Sequence, residues 1–144
     1  MTNGDRPAAG TPSSSLVTVT NVVYALHAVS LVIGAIGAAT VVGSFLFGWP
    51  SIIGVIVNYV KRGEARGTYL ESHFRWQIRT FWFALLWAVL ASAISLLLAP
   101  VLVGFLTWPV LLFALGIWAI YRIARGWLAL RDGRPMPLPP APRV

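Results

Sequence analysis

The chain contains no cysteine. Disulfides, thiolate metal sites and cysteine nucleophiles are thereby excluded. Acids are nearly as scarce: four in 144 residues, against eleven Lys and Arg. With only His27 and His73 beside them, there is no material for a convergent metal set. The sequence shows no Ser-His-Asp set, no paired carboxylates and no HExxH motif, and no glycine-rich phosphate loop follows a strand pattern. "GAIGAAT" lies inside an apolar run, where its glycines read as helix packing. These absences point away from an enzyme and from any cofactor or metal. Charge is missing over the longest stretches of all. No Asp, Glu, Lys or Arg occurs from Pro7 to Val60, nor from Thr80 to Tyr121.

Apolar residues fill most of those two stretches, and 58% of the whole chain is hydrophobic. A helix needs about 20 apolar residues to cross the ~30 Å hydrocarbon core. The chain is therefore expected to be an all-α integral membrane protein. Read as one helix, Asn21 to Val60 would be about 60 Å long, about twice that thickness. It must fold back, and Gly43, Gly48 and Pro50 stand where the turn is needed. The pattern predicts helices over about 21–42, 49–61, 68–98 and 107–130, the second of them short. They form a membrane domain at 16–131, between a disordered polar tail at 1–15 and a Pro-rich tail at 132–144.

The net charge of +7 is concentrated at the ends of apolar runs. Lys61, Arg62, Arg66, Arg75 and Arg79 share one connection, and Arg122, Arg125, Arg131, Arg134 and Arg143 follow the last run. The connections near Phe45 and near Pro100 carry no charge. Cytoplasmic loops are the basic ones. Both termini are then cytoplasmic and the chain crosses four times, as two hairpins; three crossings with the N-terminus outside is the alternative. The basic residues point to anionic lipid as a partner, and not to nucleic acid. Aromatic residues agree, with Trp49 and Trp108 at the uncharged face and Tyr59, Tyr69, Trp76 and Trp127 near the basic one. "FLFGWP" and "FLTWP" each suggest a Trp-Pro pair opening a helix, as in a repeated hairpin.

The segment "GTYLESHFRWQIRTFWF" is the most polar near a membrane run. On a helix Glu71 precedes Arg75 by four, the favourable order for an ion pair. Arg75 and Arg79 continue that face, while His73, Gln77 and Thr80 fall on another. Asn58, Tyr59, Glu71, His73, Arg75, Gln77, Arg79 and Arg122 are expected to form a polar cluster at the cytoplasmic end of the bundle. Glu64 is expected in a short solvated linker. No acid lies within any span, which argues against a proton- or ion-coupled pump. Small residues repeat along helix one at Ser30, Gly34 and Ala38, and along helix three at Ala84, Ala88, Ser92, Ser95 and Ala99, allowing close packing within the monomer or between copies.

"PSIIGVIVNYVKRGEARGTYLESHFRWQ" contains Pro50, Tyr59, Lys61, Arg62, Glu64, Tyr69, Glu71, His73 and Arg75; the chain closes on Gly133 and Pro135 to Pro137. This pattern resembles a group of small bacterial membrane proteins of unknown function. That group includes the magnetosome proteins MamF and MmsF and is distantly similar to the chloroplast Tic translocon channel subunit. The chain departs from the pattern at Trp76 and at Arg79-Thr80. The resemblance implies a multi-pass protein of the bacterial inner membrane. Its expected role is structural or accessory, binding other membrane proteins, lipid or further copies of itself. A pore or transport component is the alternative, its polar lining limited to Ser30, Thr40, Ser44, Asn58, Ser92 and Ser95.

Overall fold

The computed structural model describes residues 10–37, 48–98 and 104–137. Within them the chain is all-helical: α1 (Ser14–Gly37), α2 (Trp49–Lys61), α3 (Leu70–Leu98) and α4 (Gly104–Arg131). Three segments, Ser14–Gly34, Leu70–Leu98 and Leu106–Arg131, are long and apolar enough to cross a membrane. α2 has 13 residues, about 20 Å, which is less than the hydrocarbon thickness. The expected turn at Gly43, the connections near Phe45 and Pro100, and Ala38 and Ala99 of the small-residue stripes lie outside the described residues.

Local chemistry explains where the helices depart from the sequence reading. α1 starts at Ser14 and not near Asn21, because Ser13 Oγ accepts the Leu16 amide at 3.3 Å and caps it. The polar first turns satisfy themselves: Thr18, Thr20 and Asn21 each donate to the carbonyl four residues back, at 3.0, 2.8 and 3.1 Å. α2 keeps its expected bounds, with Pro50 in the first turn. Pro109 does not open α4. That helix begins at Gly104 and carries the proline inside it, so the two Trp-Pro pairs are not equivalent. α4 ends where Gly133, at φ +64°, lets Arg134 N–H reach Ala129 O at 2.9 Å and Gly133 N–H reach Leu130 O at 3.0 Å. This left-handed stop turns the chain back onto the bundle.

One end of the bundle gathers the start of α1, the end of α2, the start of α3 and the end of α4. Gly10 N–H donates to Gly67 O at 2.8 Å, and Leu16, Ala65, Leu70, Phe74 and Leu130 share a single buried apolar cluster. All but two of the described Lys and Arg lie in the connection and helix ends that meet there, so it is the basic end; Arg79 and Arg122 stand further along α3 and α4. Of the stripe foreseen on α1, Ser30 meets the start of α2, its Oγ accepting the Ser51 amide at 2.9 Å. A Cβ on Gly34 would meet nothing within 4 Å, whereas one on Gly126 would overlap the Tyr24 ring. On α3 the stripe shifts, with Ala91 and Ser95 buried and Ser92 exposed.

Candidate functional site

The first turns of α3 carry the polar chemistry. α3 has 29 residues, about 43 Å, where about 20 residues suffice to cross the hydrocarbon core. The length beyond a crossing is about two to three turns, and the charged residues Glu71, Arg75 and Arg79 all lie in the first three turns, which present two different faces.

The inner face is a lock. His73 is fully buried. Its Nε2 lies 2.8 Å from the carbonyl oxygen of Arg134. A carbonyl can only accept, so Nε2 carries the proton and donates. Nδ1 then accepts from the Tyr24 hydroxyl at 2.9 Å. One imidazole thus ties α1, α3 and the segment after α4. Next to it, Ser72 Oγ accepts the Met136 amide at 2.8 Å and donates to Tyr69 O at 2.7 Å. Tyr24 stacks on Trp127 with ring centroids 6.4 Å apart, and Trp127 Nε1 donates to Asn21 Oδ1 at 3.0 Å. One turn further along, Gln77 Nε2 donates to Thr20 O at 3.3 Å.

Arg122 joins α4 to α3. Its Nε donates to Thr80 Oγ1 at 2.9 Å, and its guanidinium lies 3.7 Å from the Trp76 ring centroid. Trp76 Nε1 returns a bond to Arg122 O at 3.1 Å. A cation over an indole in a partly desolvated position contributes about 1–2 kcal/mol.

The outer face is exposed. Arg75 Nη2 pairs with Glu71 Oε1 at 2.7 Å, as the spacing predicts. Glu64 lies in an exposed turn, paired to Lys61 at 2.7 Å. Arg79 is exposed, with its guanidinium 5.9 Å from the Phe83 ring centroid. Tyr59 is also exposed, and its hydroxyl accepts from Trp82 Nε1 at 3.0 Å.

The single cluster expected from the sequence is therefore divided. Asn58, His73 and Gln77 point inward; Tyr59, Glu71, Arg75 and Arg79 point outward; Arg122 stands between, half-buried. Residues two apart on a helix do not face the same way, so one helix could not present 73 and 75 to a common site. Tyr24, Ser72, Trp76, Trp127 and the Arg134 carbonyl were not foreseen. Only a position-by-position account of α1 against α3 reveals them.

A few buried polar atoms have no partner: His27 Nε2, Gln77 Oε1 and both amide atoms of Asn58. His27 Nδ1 bonds Ser51 Oγ at 3.1 Å, and Ser30 Oγ accepts the Ser51 amide at 2.9 Å. Elsewhere, polar groups of the expected pore lining are engaged. Ser92 Oγ donates to its own helix at Ala88 O, 2.7 Å away, and Ser95 Oγ accepts from Thr107 at 3.5 Å. Thr40 and Ser44 lie outside the described residues. Among the described residues, no three His, Asp or Glu gather as a metal set. Compared with known families, curated proteins and solved structures, the chain matches none.

Proposed function

We propose that the chain is a structural or accessory protein of the bacterial inner membrane, a multi-pass bundle that holds a rigid basic surface at the cytoplasmic face and binds anionic lipid or other membrane proteins there. The carrying observation is the Tyr24–His73–Arg134 connection, which joins three parts of the chain at the basic end. Four crossings with both termini cytoplasmic accord with the gathering of both chain ends at that end. The direction of the chain supports the even number; α2's own length does not. The resemblance to small bacterial membrane proteins motivates only the placement in that membrane.

A pore is the second reading, and the unpartnered Asn58 amide is what favours it. The engagement of Ser30, Ser92 and Ser95 weighs against a continuous wet path. Reconstitution into liposomes separates the two. The accessory reading expects ion and small-solute flux at the protein-free level; flux that disappears with Asn58→Leu would replace it by the pore. For orientation, Thr11→Cys and Pro137→Cys in this cysteine-free chain should both label from the cytoplasmic side. Labelling from opposite sides would restore three crossings.

A further inference from the structure

Outside the lock, the outer face of α3 forms one wall of a groove of about 460 Å³. Arg62 and Arg66 enter it from the connection after α2, Arg75 and Arg79 from α3, with Tyr59, Trp76 and Pro137 completing its walls. Four arginines from two elements line one concavity. Only Arg75 is neutralised, by Glu71. The remaining carboxylates in the described residues are committed elsewhere, Glu64 to Lys61 and Asp132 to Arg131 and Arg134. Arg62, Arg66 and Arg79 therefore present three positive charges with no acidic partner among the described residues.

Two further observations say what kind of anion fits. First, the groove is structured. The Trp82–Tyr59 bond pins the end of α2 to α3 at its lower edge, and Arg62 sits 5.6 Å from the Tyr59 ring centroid. Second, the groove does not stand alone. Along the same face of α3, Arg75 and Arg79 are followed by the exposed Trp82, Phe83, Leu86 and Leu90. Leu85, Trp87 and Val89 are exposed as well, so the guanidiniums stand above a broad apolar surface of α3, which matches a phosphate joined to acyl chains better than a free anion.

We propose that this groove is a specific binding site for the headgroup of an anionic phospholipid, with Arg62, Arg66 and Arg79 taking the phosphate oxygens. Guanidinium is suited to this by its planar, paired donors. Three unneutralised charges and a volume well above that of one phosphate favour a headgroup carrying two phosphodiesters over one carrying a single phosphodiester. The site deepens the accessory reading, since the leaflet it would face is the cytoplasmic one.

Native mass spectrometry and thermal-shift titration of the full chain in neutral detergent test it. The added probes are cardiolipin, phosphatidylglycerol, phosphatidylcholine, inorganic phosphate and soluble glycerophosphoglycerol. Cardiolipin should bind most tightly, and inorganic phosphate and the soluble headgroup at least tenfold more weakly. Arg62→Gln/Arg66→Gln/Arg79→Gln should lose at least tenfold in cardiolipin affinity. The charge-matched Arg125→Gln/Arg131→Gln/Arg134→Gln should lose less than threefold. Equal losses in the two triples would reduce the site to diffuse electrostatics and overturn the proposal. Inorganic phosphate binding as tightly as the lipid would also overturn it, in favour of a free-anion site. A photoactivatable cardiolipin on the unmutated chain removes any dependence on variant folding. Its adducts should fall within residues 59–86, and adducts spread evenly over the end of α4 would refute the site. None of these readouts depends on orientation, so cysteine labelling that put the groove on the outer face would sink the accessory reading and leave the site standing.

Discussion

Gly126→Ala probes the tightest point of the bundle. Gly126 faces the Tyr24 ring so closely that an added Cβ would lie 2.7 Å from Cε1 and 2.8 Å from Cζ, and nearer still to the hydroxyl oxygen. The ring cannot simply swing aside. It is 1% exposed, stacked on Trp127 and bonded to His73. Overpacking of this kind costs about 1–3 kcal/mol, and pulling the hydroxyl from His73 Nδ1 leaves a buried acceptor unpaired at a further ~1–3 kcal/mol. Ala returns about 1 kcal/mol of helix propensity over Gly. The net expectation is a loss of about 1–5 kcal/mol. Unfolding by a denaturing surfactant in mild detergent, followed by the summed fluorescence of the seven tryptophans, measures it. Gly116→Ala on the same helix is the control, because a Cβ there meets nothing within 4 Å. In a Tyr24→Ala background the Gly126→Ala penalty should vanish; in Tyr24→Phe it should persist, since the two ring carbons remain. If Gly126→Ala is as stable as Gly116→Ala, the close crossing of α1 and α4 is wrong.

Three further outcomes test other levels of the structure. Ser72→Ala removes the acceptor of the Met136 amide and should free the segment after α4, seen as faster limited proteolysis beyond Gly133; an unchanged digest would mean that segment is held by other contacts. Gly54→Ala should be neutral or slightly stabilising, because the new methyl would meet Val23 Cγ1 at 3.4 Å and His27 Cε1 at 3.6 Å, ordinary contact distances; a loss above about 1 kcal/mol would contradict this spacing. Glu71→Ala should cost less than about 1 kcal/mol, as its pair with Arg75 is largely solvent-exposed; failure to fold would place the pair in the interior.

What was legible in the sequence was local. The bounds of α2 follow from Gly48, Pro50 and Lys61, all within one helix length. The Glu71–Arg75 pair follows from spacing alone. The inward set His73, Gln77 and Thr80 follows from helix periodicity, and all three are buried. What escaped depends on separations that no window covers. Tyr24 and His73 are 49 residues apart, and His73 and Arg134 are 61. The Arg134 contribution is a backbone carbonyl, which carries no residue signal. The early start of α1 escaped because Ser14 counts with the polar tail and Thr18 and Thr20 fall ahead of the first helix in the sequence reading, although the two threonine hydroxyls are spent within the helix. Grouping Asn58, Tyr59, Glu71, His73, Arg75, Gln77, Arg79 and Arg122 into one cluster ignored that alternate positions on α3 look in different directions.

Both the lock and the groove stand on the same first turns of α3, and that makes them separable by experiment. His73 reaches two elements outside its own helix, so His73→Ala strands the Tyr24 hydroxyl and the Arg134 carbonyl together. Interhelical bonds of this type average about 0.6 kcal/mol in a membrane bundle, while each stranded buried group adds about 1–3 kcal/mol. A loss of about 3–7 kcal/mol is expected, with the segment after α4 released as well. His73→Gln should recover part of it, because an amide can both donate and accept. The groove arginines show no such ties: Arg79 lies over Phe83 of its own helix, and Arg62, just past α2, lies over Tyr59. Their replacement by Gln should leave unfolding within about 1 kcal/mol of the native chain. The arginines are surface binders if stability survives their loss and falls with His73. If the arginine triple unfolds as readily as His73→Ala, the outer face is structural and the two-faced account of α3 fails.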